Sequence, residues 1–313
     1  MSKMHLSTVD AFKHIHTQDC VTLDDEQLKR LQRVLNSILD DIVSVCEDNQ
    51  IRYTLGGGSA LGAVRHHGFI PWDDDIDLNM PREDYNRFIP AFRERFGGKY
   101  WIHTPQETRN YDLLLSRIRL KGTSVCTRED FENTESGAFV DLFVIENTFD
   151  NAFLRTIHGI GCNGLGFLVS CRKFYRDRKP LMTLAGDTGD RHLQGVFRFK
   201  IALGFLIAWI PIESWLHAGD RWNALCRNSN SRYVAVPTGR KHFWGEMYRR
   251  EDICEGTDVL YDGKMRKCPA NIELYLTRLY GDYMKLPAPE DIEKHVFFAP
   301  FDLGGETADR RQK

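Results

Sequence analysis

The stretch LGGGSALGAVRHHGFIPWDDDIDLNMPREDY (55–85) joins a glycine turn to a run of acids across a basic middle. IRYTL (51–55) before it is a short β-type run that Gly56-Gly57-Gly58 ends, and Ser59-Ala60-Leu61-Gly62-Ala63-Val64 then starts a helix. Asp75, Ile76, Asp77 and Leu78 alternate acid and apolar. On a strand, residues two apart share a face, so Asp75 and Asp77 project together while Ile76 and Leu78 pack behind. PREDYNRFIPAFRERF (81–96) opens a further helix with Pro81 in its first turn. Upstream, Leu28, Leu31, Leu35, Ile38, Ile42 and Val45 make the apolar stripe of an amphipathic helix from Asp24 to Asn49, with Thr22 as its expected cap. The unit reads helix, strand, glycine turn, helix, acidic strand.

Around this unit, 313 residues that are 42% hydrophobic and 27% charged predict a globular chain with a sizeable core. The 42 Lys+Arg against 44 Asp+Glu leave a formal net charge of −2, so no global excess draws the chain to nucleic acid or anionic lipid. The eight cysteines form no CxxC pair and no zinc-ligand spacing, which predicts buried thiols in a reducing compartment. The N-terminus, broken by Lys3, Asp10 and Lys13, lacks the apolar stretch of a secretory signal, so a cytoplasmic location is expected. The longest apolar run, Ile201–Ile212, is too short to span a bilayer. A buried helix is its commoner reading; peripheral contact with the inner face of the cell membrane through 196–216 is the sharper one, since Arg198, Lys200 and the CRKFYRDRK tract (171–179) lie upstream.

The acids and glycines point to phosphoryl chemistry. Four acids within five residues, Asp73, Asp74, Asp75 and Asp77, repel one another unless a cation joins them. Two carboxylates on one strand face, with Asp141 from the later strand SGAFVDLFVIEN (136–147), make an all-oxygen site for Mg²⁺, or Mn²⁺ in its place. Gly57, Gly58 and Ser59 at a helix N-terminus suit a phosphate, because glycine lets the backbone approach and first-turn amides point outward. Arg65 is the expected cation on a diphosphate. Trp72 is a stacking candidate, and Arg117, Arg119 and Lys121, alternating in SRIRLKG, are candidates to face the donor from a neighbouring strand. Strand, glycine-serine turn, helix, Asp-x-Asp strand is the order of the nucleotidyltransferase fold typified by polymerase beta. The expected class is therefore α/β (α+β), a core of that type with a mixed sheet flanked by helices and a mainly helical C-terminal half. The expected partition is an N-terminal extension (1–21), a catalytic core (22–150) and a helical or mixed half (151–313) packed on the core as one continuous domain.

Over 55–85, with VDLF around Asp141 and LYGDYMKLPAPEDIEKH (279–295), the sequence resembles the LicD family of phosphotransferases, together with fukutin-type enzymes. The likeness is strongest over 22–145 and 255–295. It implies transfer of a phospho-alcohol group, phosphocholine-like, from a CDP-activated alcohol to a hydroxyl of a glycan or a lipid-linked glycan, with release of CMP. It implies that Gly58 and Ser59 bind the donor's phosphates and that Asp75, Asp77 and Asp141 hold the metal, Asp141 doubling as a candidate base. Gly58-Ser59 stands where Gly-Thr is common in the family, a change that keeps the hydroxyl. Tyr280, Asp282, Tyr283 and His295 have no assigned role. Two other readings stay open: transfer of NMP to a small molecule with release of pyrophosphate, and a non-catalytic scaffold for glycan assembly.

Overall fold

The computed structural model describes residues 20–109, 111–127, 130, 133–187, 191–288 and 297–304. The expectations for the first nineteen residues and for His295 lie outside the described residues. After β1 (Cys20–Val21), α1 (Asp25–Asp48) buries all six residues of the anticipated stripe. Its cap is Asp24 rather than Thr22. The Asp24 carboxylate accepts the Gln27 N–H at 2.7 Å while the Gln27 side chain accepts the Asp24 N–H at 3.1 Å, a reciprocal box that needs a three-residue spacing Thr22 does not have.

β2 (Thr54–Leu55) ends at Gly56, and α2 (Gly57–His66) begins one residue later, two residues ahead of the expected start at Ser59. β3 (Asp77–Pro81) runs antiparallel to β2, and Pro81 ends the strand and caps α3 (Arg82–Phe96). Asp75 thus precedes the strand instead of lying on it. The alternation survives even so: Asp73, Asp75 and Asp77 are half-buried while Asp74, Ile76 and Leu78 are buried.

β4 (Tyr100–His103), β5 (Ser116–Leu120), β6 (Ser124–Thr127) and β7 (Phe139–Asn147) follow. The central sheet has the order β2-β3-β7-β5-β4, with β3 and β7 parallel and its other pairs antiparallel. In the β3–β7 register Asp77 stands opposite Asp141. The mixed α/β sheet agrees with the expected class.

Four helices come next: α4 (Ala152–Arg176), α5 (Arg178–Asp187), α6 (Arg191–Leu206) and α7 (Ile212–Asn223). The second half then returns to strands, which the expectation of a mainly helical half understated. β8 (Tyr233–Ala235) pairs with β7, and past the one-turn helix α8 (His242–Gly245) β9 (Met247–Arg249) pairs with β8. The short α9 (Arg250–Ile253) leads to the hairpin β10 (Gly256–Tyr261) and β11 (Lys264–Pro269). α10 (Ile272–Tyr280) follows, and β12 (Phe297–Asp302) pairs with β1 and β6. One large apolar core joins α1, the sheet, the hairpin and α10, while three smaller clusters serve the helical segment.

The apolar run Ile201–Ile212 is not one buried helix. α6 stops at Leu206, and Pro211, whose ring fixes φ and removes a donor, caps α7. No described helix is long and apolar enough to cross a membrane. Among the described residues seven cysteines are free thiols, six of them buried.

Candidate active site

Gly57 turns the chain at φ +41, a left-handed conformation that L side chains resist. A Cβ on Gly57 would come within 2.4 Å of Asp77 Oδ2, and one on Gly58 within 2.9 Å of Asp73 Oδ2. Glycine is what lets the first turn of α2 touch two acids of the run. The positive end of the α2 dipole falls on those carboxylates and offsets part of their mutual repulsion. The Gly57 N–H donates to the Tyr275 hydroxyl at 2.9 Å, and Asn79 Nδ2 donates to the same oxygen at 3.1 Å, so α10 braces the turn.

Carboxylate oxygens of Asp73, Asp74 and Asp75 lie within 4.8 Å of one another. These three form an oxygen-only donor set, the kind a hard divalent cation takes, whereas Asp77, expected to pair with Asp75, is outside that group and lies against Gly57. Asp141 is placed differently. Although it neighbours Asp77 in the sheet, its Oδ1 accepts Arg117 Nε at 2.6 Å and its Oδ2 accepts Arg117 Nη2 at 3.1 Å, with both residues buried. The β5–β7 register sets Arg117 directly opposite Asp141, and that fork places one guanidinium N–H on each carboxylate oxygen.

Three further candidates meet partners within the protein. Ser59 is buried, and its Oγ accepts the Asp77 N–H at 3.0 Å, so it ties α2 to β3 instead of facing outward; the helix starts two residues earlier than expected and turns this side chain inward. Arg119, fully buried, donates to Asp130 at 2.6 Å. Lys121 donates to the Gly97 carbonyl at 2.8 Å, beside the loop that enters β4. Alternation placed Arg119 with Arg117 on one face, but the partner each meets is set by the strand next door.

Arg65 stays near the acids. It is half-buried, its Nη1 donates to the Tyr283 carbonyl at 2.9 Å, and burial lowers its pKa against the opposing charges of Tyr280 and Asp73. That bond docks the YGDYMKLP segment onto the end of α2. Trp72 is half-buried with its ring edge-on to His66, the centroids 6.2 Å apart. His67 holds the left-handed cap of α2, and its carbonyl accepts the Asp262 N–H.

Beside Gly57 and Asp77 lies a cavity of about 760 Å³. The loop after β8 and α10 contribute Arg240, Glu246, Tyr275 and Tyr280, while α4 and α5 contribute Phe167, Phe174 and Leu181. Much of this lining comes from 150–250, where the sequence carries no motif. Tyr275, Asn79 and Glu246 were missed: Tyr275 reads as one more apolar position of a helix, and Glu246 as one acid among many.

Residues 50–153 match the family described as LicD/FKTN/FKRP, nucleotidyltransferase domain. The chain is 27% identical over 276 residues to the lipopolysaccharide cholinephosphotransferase LicD of Haemophilus influenzae, which covers 86% of this chain and 95% of that protein. It is 48% identical over 52 residues to the ribitol 5-phosphate transferase FKRP of Homo sapiens, 17% of this chain and 10% of that protein. The uncharacterized protein RP689 of Rickettsia prowazekii is 32% identical over 119 residues, 29% of this chain and 45% of that protein. The relatives that bear a functional name are transferases.

Proposed function

We propose that this chain, whose residues 50–153 are a LicD-family nucleotidyltransferase domain, transfers a phospho-alcohol group from a CDP-activated alcohol to a hydroxyl of a glycan or lipid-linked glycan and releases CMP. One observation carries the proposal: the first turn of α2 lies against Asp77 and Asp73 at the edge of a cavity large enough for a nucleotide-sized ligand. The names of two relatives, a cholinephosphotransferase and a ribitol 5-phosphate transferase, support the same class of transferred group. The polymerase-beta-like reading of the core is supported by the order β2, glycine turn, α2, β3 and by the parallel β3–β7 pair. We keep the core (22–150) and the following half (151–313) as one continuous domain, since the cavity draws on both.

Asp73, Asp74, Asp75 and Asp77 would hold Mg²⁺, or Mn²⁺, whose charge when bound neutralises the diphosphate and the departing CMP. Gly57 and Gly58 keep the backbone close to the donor's phosphates, and Arg65 adds a guanidinium beside Asp73. Ser59 and Tyr275 hold the turn and the strand at fixed separation. Asp141, opposite Asp77 in the sheet, is held on its other side by Arg117 of β5, a positioning role. Trp72 and His66 close the outer side of α2.

The test is a panel of CDP-choline, CDP-ribitol and CDP-glycerol incubated with the full chain and Mg²⁺, with and without a glycan acceptor. CMP release from at least one donor is expected, rising when acceptor is added. Pyrophosphate release from CTP in the presence of choline phosphate or ribitol phosphate, with no CMP from the panel, would replace this reading by nucleotidyl transfer.

The acceptor's class bears on where the chain works. Phe205 is 62% exposed, Leu206 65% and Trp209 81%, at the end of α6 and the turn after it. Arg172 of α4 donates to the Ile210 carbonyl beside this turn, and Arg178 and Lys179 at the start of α5 and Arg198 on α6 are exposed. Exposed aromatic groups together with exposed cations on the neighbouring helices suit an anionic bilayer surface, as for a cytoplasmic enzyme at the inner face of the membrane. Co-sedimentation with phosphatidylglycerol vesicles is expected for the wild-type chain and at least about tenfold weaker for the double variant Phe205→Ser, Trp209→Ser. Equal binding by the two proteins would remove this contact from the proposal.

A further inference from the structure

Four carboxylates line the cavity beside the glycine turn: Asp77, Asp112, Asp177 and Glu246. Asp112 is paired with Arg176 at 2.6 Å and with Lys173 at 3.4 Å, and Asp177 with Arg176 at 2.7 Å. Asp77 belongs to the acidic run against Gly57. Outside the cavity, Asp141 is held by the Arg117 fork. Glu246, between α8 and β9, is supported differently. It is 3% exposed, and its Oε1 accepts the backbone N–H of Lys241 at 2.8 Å. The peptide of Gly239 lies so close that a Cβ there would stand within 2.5 Å of both carboxylate oxygens. A neutral main-chain N–H stands here where Asp112 and Asp177 have an arginine.

We propose that Glu246 is the general base of the transfer, taking the proton of the acceptor hydroxyl as that oxygen attacks phosphorus inside the cavity. The inference rests on the transfer reading above. The new bond joins the acceptor oxygen to the phosphorus of the phospho-alcohol. The bond that breaks joins this phosphorus to the bridging oxygen, which leaves on CMP with its electron pair, and the acceptor's proton passes to Glu246 and then to water. Tyr275 links the base to the donor end, because its hydroxyl accepts the Gly57 N–H while its phenol is raised by burial and by the charge of Glu246.

Burial pushes the Glu246 carboxyl up to about 7, opposed by the Lys241 N–H and by the charges of Lys241 and Arg240. Such a group exchanges protons near neutrality, whereas a carboxylate locked to arginine stays ionised. The groups facing it are Arg240 and Lys241 just before α8, Tyr248 on β9 and Tyr275 on α10, while His242, lowered by burial and by Lys200 of α6, lines the same cavity. Folding raises this pKa above the ordinary value of 4.5, so the stability it contributes is full below 4.5 and lost as pH climbs through about 7. Glutamine at 246 keeps an oxygen for the Lys241 N–H and removes that loss. E246Q is therefore expected to be no less heat-stable than wild type at pH 8.

The experiment measures CMP release and product formation from pH 5.5 to 8.5 with saturating donor and Mg²⁺. Wild-type transfer is expected to rise about tenfold per pH unit on the acid side and level off above neutrality. E246Q is expected to lose transfer about 100-fold or more, with a flat profile and with donor affinity by calorimetry unchanged. E246Q transfer within about threefold of wild type, or a flat wild-type profile, overturns the assignment of Glu246 and leaves the transfer reading standing. A wild-type chain that releases no CMP from any CDP-alcohol overturns the transfer reading and this inference with it.

Discussion

Asp77→Asn is expected to lower turnover about 1000-fold at saturating Mg²⁺ while leaving the melting temperature nearly unchanged. The substitution keeps the shape of the side chain, and the Asp77 N–H still donates to Ser59 Oγ, so β3 keeps its tie to α2. What goes is one negative charge beside Gly57, at the acid nearest the phosphate turn. A cation that neutralises charge in the transition state loses more from a missing carboxylate than the fold does, because the half-buried Asp77 contributes little to the core. CMP release and calorimetric Mg²⁺ binding are the measurements. Turnover at the wild-type rate would remove the acidic run from the chemistry.

The second large effect is on stability. Arg117→Ala is expected to destabilise the fold by about 3–5 kcal/mol, read as a lower denaturant midpoint, because Asp141 is left as a buried charge without its fork. The loss includes the contact of the Arg117 guanidinium with the Phe139 ring, 4.1 Å from its centroid. The double variant Arg117→Met, Asp141→Leu is expected to recover most of that loss, since a packed apolar pair has no charge to desolvate. Activity would not return with it, because the charged pair on the strand beside Asp77 is gone. A single variant as stable as wild type would mean that water reaches Asp141.

The helix, strand, glycine turn and acidic strand were legible because each rests on interactions between residues close in the chain. The stripe from Leu28 to Val45 has a helical period, the glycines break a β-type run, and the acid-apolar alternation predicts which residues are buried from Asp75 to Leu78. Boundaries moved where a cap decided them: Asp24 displaced Thr22 through its bond to Gln27, and α2 started at Gly57. The partners of Asp141, Arg119 and Lys121 were not legible, because a side chain's partner depends on which segment lies alongside. The β5–β7 register gave Asp141 to Arg117, and the fold gave Arg119 to Asp130 and Lys121 to Gly97.

The sequence by itself determined that a phosphate-suited turn and a cluster of acids sit near each other, since only 14 residues separate Gly58 from Asp73 and a helix with its loop spans them. Tertiary structure alone decided which acids meet an arginine and which carboxylate is buried against a main-chain N–H. Glu246 lies 169 residues beyond Asp77 in the chain, and only the packing of α10 and the loop after β8 around one cavity brings them to the same walls. Local periodicity carries no record of such a meeting, because burial, ion pairing and desolvation act between segments whose positions the whole core sets.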